Sequence, residues 1–283
     1  SYKLRIPMFI PNDKLKEILV SARVIDESTW ADALHNAQRI GVPVEDILRE
    51  RDIISGHVLY ELVAQALHLK YVNLKFKEIS DDVLSLFDTT IVGEYKAIPF
   101  EIDSTQQSVK VAFLDPTDTK RISALEARLR RKIDVYFCGT NSFHYATKYY
   151  QKEVAAEVKK LIERMIAENT PRTFLYQRDD TAKHTRLLEK LIEYVFYTQP
   201  SDIHIEHMRE GGAIKFRIDG FLRDEFTLPN GYVGHLIRHI KERCNIQTDG
   251  RHPTREGRFS AAVFGEMLAF RVSVMPTYYG EKV

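Results

Sequence analysis

The sequence predicts an α+β fold in two domains, on three observations. The chain has 283 residues, which at roughly 100–200 residues per domain suggests about two. Its first part repeats an apolar pattern at helical spacing and then gives way to strand, helix, strand. Its last part runs through short alternating strands with helices between them, the pattern of an antiparallel sheet carrying helices.

The first domain is expected over residues 1–150. Within it a helical repeat occupies about 12–70, because Ile18, Leu19, Ile25, Trp30 and Leu34 find counterparts, all at one offset, in Ile47, Leu48, Ile54, Leu59 and Val63. Asp26-Glu27-Ser28 and Ser55 supply cap-like starts for the second helix of each copy, so two helical pairs are expected, ending near His68. A small α/β layer follows over about 71–150. It opens with a bridge through Tyr71-Val72-Asn73-Leu74 and a short helix near Asp81–Phe87. Ala97–Ile102 and Val109–Leu114 alternate like strands, Asp115-Pro116-Thr117-Asp118 turns into a helix through Arg130, and Ile133–Cys138 is a third strand. Arg128, Arg130, Arg131 and Lys132 gather at that helix's end, where cations favour the macrodipole, and are read as solvated rather than as a phosphate site.

The pattern is helical again from Asn141 to Glu168, and Asn169-Thr170-Pro171-Arg172 breaks it. Residues 151–180 are therefore expected to be a helical segment and linker, the linker lying around Asn169–Asp180. The last domain, 181–283, should open with a helix Thr181–Thr198 and continue in strands Ile203–Met208, Ala213–Ile218 and Phe221–Leu228. A helix Tyr232–Cys244 precedes two further strands, Arg258–Phe264 and Met267–Met275.

Composition narrows the function. With 44% hydrophobic, 29% charged and 11% aromatic residues the chain has a globular composition, which excludes disorder and collagen. Its 41 basic and 40 acidic residues leave a net charge of +1, which argues against wholesale binding of a polyanion, so no nucleic-acid partner is expected. Two cysteines, Cys138 and Cys244, make neither a disulfide framework nor a four-cysteine zinc site, and a reducing cytoplasm fits best. No apolar run approaches the ~18 residues of a spanning helix and no signal peptide opens the chain, so a soluble protein is expected. It starts without Met and stops directly after a strand-like segment, and is read as a piece of a longer chain.

Few motifs carry chemistry. His204-Ile205-Glu206-His207 contains metal-ligand types, but in a strand His204 and Glu206 share one face while His207 points to the other, so a structural role is preferred and no metal is expected. There is no G-x-S-x-G elbow, no G-x-x-x-x-G-K-[ST] loop and no G-x-G-x-x-G, so these residues alone should not hydrolyse nucleotide, and no catalytic residue is assigned. The densest set of candidates is arginine: Arg217 and Arg223 flank Ile218-Asp219-Gly220, Arg255 and Arg258 flank Glu256-Gly257, and Arg271 lies in the last strand. Guanidinium groups on strands make bidentate contacts to phosphate or carboxylate. The competing possibility is structural pairing with Asp202, Asp219, Asp224, Glu225 or Glu256.

Three ordered motifs then carry a resemblance. Pro200-Ser201-Asp202-Ile203-His204-Ile205-Glu206, Phe216-Arg217-Ile218-Asp219-Gly220-Phe221-Leu222-Arg223 and Arg271–Val283 with its Gly280-Glu281-Lys282-Val283 end closely resemble the GspE/PilB family, the hexameric ATPases of type II secretion and type IV pilus assembly. Tyr95–Phe100 and Val109–Asp118 are similar to that family's amino-terminal region. The resemblance implies an amino-terminal docking or regulatory domain and a small PAS-like domain. A RecA-like motor with its phosphate loop, acidic boxes and, in many members, a zinc site would lie beyond Val283. It implies ATP and Mg2+ for the full-length protein and no cofactor for this stretch alone. It further implies partners among inner-membrane platform proteins, self-association as a hexamer, and a cytoplasmic location held at the inner membrane through those partners. Arginines of the small domain reach nucleotide phosphates in this family; by motif these are Arg217 and Arg223, with Arg258 after them.

Two departures stand out. Where members that bind cyclic di-GMP carry repeat glycines, this chain has Lys16 and Arg23 in the first copy and Glu45 and Asp52 in the second, so no binding in that mode is expected. Where the family usually has a Q-D-G-R-like sequence it has Arg255-Glu256-Gly257-Arg258, after an unusual Asn245–His252. Two other readings remain open: a free-standing regulatory protein- or nucleotide-binding module without ATPase activity, and a metal-dependent hydrolase using His204, Glu206 and His207.

Overall fold

A computed structural model describes residues 7–103, 107–167, 181–229, 231–246 and 255–283. The described chain divides into two compact units, one up to Tyr150 and one from Gln151 onward. Among the described residues no helix is long and apolar enough to cross a membrane.

The first unit begins with four helices, α1 (Asn12–Ser21), α2 (Glu27–Ile40), α3 (Val44–Glu50) and α4 (Gly56–Ala66). Their core is the repeated apolar set: Ile18, Leu19, Ile25 and Trp30 are buried, and so are Ile47, Leu48, Ile54, Leu59 and Val63, while Leu34 packs at the edge. The starts repeat too. Asp26 caps α2, its carboxylate accepting from the Thr29 N–H at 2.7 Å, and the Ser55 hydroxyl accepts from the Val58 N–H at 3.3 Å to start α4. These hydrogen bonds hold the Asp26 carboxyl down at about 2.

A three-residue 3₁₀ turn (Leu74–Phe76) leads to α5 (Asp81–Leu84) and α6 (Thr89–Tyr95), the latter capped by Asp88 and not anticipated from the sequence. The layer itself is β1 (Ala97–Ile102), β2 (Ser108–Phe113), α7 (Thr119–Leu129) and β3 (Lys132–Phe137) in the order β1-β2-β3. β1 and β2 are antiparallel; β2 and β3 are parallel, and α7 is the crossover that a parallel pair needs. Phe137 joins layer to repeat, its ring edge-on to Phe9 at 5.3 Å and to Tyr60 at 6.0 Å. Of the cations at the end of α7, Arg128 lies 3.6 Å from Asp88 and 3.8 Å from Glu94.

The helix expected over 141–168 is interrupted. α8 (Thr140–Thr147) passes through a 3₁₀ turn at Lys148–Tyr150, where Tyr150 is buried and its hydroxyl donates to the Leu84 carbonyl at 3.0 Å, and a new helix, α9 (Gln151–Ala167), starts in the second unit. The expected linker at Asn169–Asp180 lies outside the described residues. α9 turns Val154, Val158, Ile162 and Met165 inward and packs on α10 (Thr181–Thr198), with Lys190 bridging to Glu157 at 2.6 Å.

The second unit's sheet contains β4 (Asp202–His207), β5 (Gly212–Ile218), β6 (Phe221–Leu228), β7 (Arg255–Val263), β8 (Glu266–Thr277) and β9 (Gly280–Lys282), with α11 (Tyr232–Arg243) between β6 and β7. The order is β6-β5-β4-β9-β8-β7, antiparallel throughout, so a hairpin lies at each edge and β9 closes the gap between them. Phe216 and Phe226 meet the Tyr194 ring of α10 edge-on at 5.2 and 5.3 Å, which seats the sheet against that helix. The protein is thus α+β, helices with antiparallel sheet.

Candidate phosphate-contact site

The β5–β6 hairpin turns through Asp219 and Gly220, both with positive φ (51° and 86°), the geometry that matches strand twist in a two-residue turn. The turn sets the two sequence-predicted arginines apart. Arg217, on β5, donates from Nε to Asp202 Oδ2 at 3.1 Å and from Nη1 to the Gly220 carbonyl at 3.2 Å. Arg223, on β6 opposite Phe216, is exposed beside the exposed Phe221 and Leu222. Glu225, its near neighbour, is engaged by the Tyr194 hydroxyl at 2.9 Å. Lys215, between them on β5, is shared by Glu206 at 3.4 Å and Asp224 at 3.5 Å.

Arg258 lies at the other edge of the sheet. Counting from β5 through β4, β9 and β8 to β7, four strand spacings of ~4.8 Å put about 19 Å of sheet between it and Arg217. The two hairpins thus offer their arginines from opposite edges of the sheet. Arg258 is exposed and sits directly opposite Arg271, whose guanidinium pairs with Glu256 at 2.8 Å. Among the described residues Arg258 has no ion-pair or hydrogen-bond partner for its side chain. The face thus carries two cations and one acid, and like charges directly opposite on a strand pair are destabilising.

The His204-Glu206-His207 set is spread by the strand period. Glu206 binds Lys282 at 2.5 Å, which lowers its carboxyl below the ordinary range, and His207 Nδ1 lies 2.9 Å from the Glu281 carbonyl. Burial lowers His204. No three His, Cys, Asp or Glu side chains gather to hold a metal ion among the described residues. Both cysteines are buried, and burial pushes the Cys138 thiol far up, away from nucleophilic reactivity.

In the helical repeat Arg23 and Asp52 occupy equivalent positions, both exposed and both left-handed (φ 57° and 54°). The backbone keeps the conformation a glycine favours but carries a Cβ there. Lys16 pairs with Glu27 across α1 and α2. Its counterpart Glu45 is buried, accepts the Met8 N–H at 2.6 Å, and has its carboxyl raised by burial.

Two features were not anticipated. Lys241 is only 4% exposed and reaches both Glu281 carboxylate oxygens, at 2.7 and 2.8 Å. Its position one turn after Ile237 and next to Ile240, on the buried stripe of α11, was a readable signal. The juxtaposition of Arg258 and Arg271 depends on strand register, which the sequence leaves open.

Comparison with known proteins gives two family matches. Residues 177–283 match the family described as Type II/IV secretion system protein, and residues 67–156 match the MshEN domain. The type IV pilus assembly ATPase PilB of Myxococcus xanthus is 22% identical over 278 residues, 95% of this chain and 49% of PilB. Type II secretion system protein E of Aeromonas hydrophila is 31% identical over 144 residues, 48% of this chain and 28% of that protein. A solved structure of MshE with cdg is 20% identical, covering 46% of this chain and 92% of that one at a TM-score of 0.37. The chain spans half or less of the length of these curated relatives. Two family models in order, with a PilB relative aligned along nearly the whole chain, establish that it belongs to the GspE/PilB family of type II secretion and type IV pilus assembly ATPases.

Proposed function

We propose that this chain is the amino-terminal region of a hexameric secretion or pilus-assembly motor. Its first unit docks the motor on inner-membrane assembly proteins from the cytoplasmic side. Its second unit, a PAS-like domain, presents arginines to the phosphates of ATP bound with Mg2+ on a motor domain, coupling hydrolysis to pilin or pseudopilin assembly or to protein export. This reading is carried by two cations that no acid of the second unit neutralises among the described residues: Arg223, exposed beside the turn, and Arg258, opposite Arg271. Arg217, on the same hairpin as Arg223, presents the N–H groups its two internal bonds leave over. Such groups stabilise charge developing on a transferring phosphoryl group. Arg217 and Arg223 lie on opposite faces of their hairpin and Arg258 at the other edge of the sheet, so the three approach phosphate from different directions. The repeat takes no cyclic di-GMP through Lys16, Arg23, Glu45 and Asp52, since acids fill the second copy's positions.

The test is ATP turnover by the full-length protein carrying Arg217→Ala, Arg223→Ala or Arg258→Ala. Losing one donor to the transition state costs about 10²-fold in kcat, expected for Arg217 and Arg223, with a smaller loss at Arg258. Wild-type kcat in all three would overturn the arginine assignment. Deleting residues 1–150 should abolish binding to the membrane-embedded assembly proteins, and retained binding would overturn the docking role.

A further inference from the structure

We infer that Asp202 is a positioning residue for Arg217, an inference that rests on the phosphate-contact reading above. Asp202 and Arg217 are register partners on β4 and β5. The carboxylate takes the Nε–H of Arg217 at 3.1 Å, and Gly220 of the adjoining turn takes an Nη1–H at 3.2 Å. Asp202 Oδ2 is itself fixed by the Ser201 hydroxyl at 2.8 Å, and the Ser201 N–H is bound to the Arg217 carbonyl at 2.9 Å. The two residues therefore form a closed set in which each orients the other.

A guanidinium has five N–H groups. Two acceptors in different directions, one on Nε and one on Nη1, fix its plane and consume two of the five. The remaining Nη1–H and both Nη2–H groups stay available, and the side chain is 37% exposed. Paired guanidinium N–H groups match two oxygens of a phosphate. A guanidinium already held in its working orientation needs no reorganisation as charge develops, which is where an electrostatic contact gains its rate effect. Asp202 acts through Arg217 and touches no substrate itself.

The experiment is ATP turnover by the full-length protein in a double-mutant cycle of Asp202→Ala and Arg217→Ala, with Asp202→Asn as the conservative variant. Asp202→Ala should lower kcat about tenfold with a smaller change in KM. Asp202→Asn, which keeps an oxygen acceptor for Nε–H, should recover most of that loss. In the Arg217→Ala background Asp202→Ala should cost nothing further, whereas a general loss of folding would lower both backgrounds alike; thermal melts of each variant track folding separately. Unchanged or faster turnover in Asp202→Ala, with Arg217→Ala still impaired, would overturn the positioning role and leave the phosphate reading intact. An Arg217→Ala protein with wild-type turnover would overturn the positioning role together with Arg217's own part in the phosphate reading.

Discussion

The two edge hairpins of the second unit share a turn and differ in nearly everything else. β5–β6 turns through Asp219 and Gly220 at φ 51° and 86°, and β7–β8 through Phe264 and Gly265 at φ 49° and 79°. In the first, a residue tolerant of left-handed backbone sits at the first turn position, and the hairpin's Arg217 is matched by Asp202. In the second, a bulky aromatic is held left-handed while its ring packs edge-on to Phe196 at 5.3 Å and Tyr197 at 6.2 Å, and two arginines face each other. Local chemistry makes the first turn; tertiary packing imposes the second. The second hairpin tolerates both local strain and unbalanced charge, which a fold optimised only for stability would lack.

The two hairpins should therefore respond differently to substitution. The largest effect is expected at the aromatic turn: Phe264→Ala should destabilise the protein by about 2 kcal/mol through lost packing on Phe196 and Tyr197. Denaturant unfolding that moves no more than it does for Asp219→Ala would show that packing does not hold this turn. Next, Gly220→Ala and Gly265→Ala should each cost about 1–2 kcal/mol, and equally, because nothing lies within 4 Å of a Cβ at either site and only the positive φ is penalised. Unequal losses would mean the two turns are not alike in conformation.

A smaller effect tests the strand between the hairpins. Glu206 on β4 holds Lys282 of β9 and Lys215 of β5, and the hydrogen bond from Lys282 lowers its carboxyl below the ordinary 4.5. A depressed carboxylate contributes stability that is present above its unfolded value and lost as pH falls through its folded value. Glu206→Gln should therefore cost about 1 kcal/mol at neutral pH and progressively less in acid. A cost that stays constant from pH 7 to pH 3 would remove the ion pair as its cause. The smallest effect has the opposite sign. Arg258→Thr relieves the repulsion with Arg271 and should stabilise by about 0.3 kcal/mol. A loss of stability would show that Arg258 serves the fold.

What the sequence disclosed follows the same divide between local and tertiary causes. The repeat was legible because Leu19 and Leu48, and Asp26 and Ser55, recur at one offset, and each occupies the buried or capping place its type implies. The Asp219-Gly220 turn and the strand limits around it were legible from turn chemistry. The break at Lys148–Tyr150 was hidden, because it rests on one tyrosine hydroxyl reaching Leu84, far away in sequence. At the candidate site, the arginines and their possible acidic partners could be named, and Asp202 and Glu256 proved to be two of them. The separation of Arg258 from Arg217 was not readable, since it depends on β9 inserting between the hairpins, a strand of three residues with no pattern of its own.

Arg217, Arg223 and Arg258 should answer to a motor domain in the same protein. The most direct test is the intact mass of the native protein, with peptide sequencing carried past Val283. The expected result is a chain about 200 residues longer that contains a G-x-x-x-x-G-K-[ST] phosphate loop. A native terminus at Val283 would contradict it, and the protein would instead be a free-standing binding module without ATPase activity.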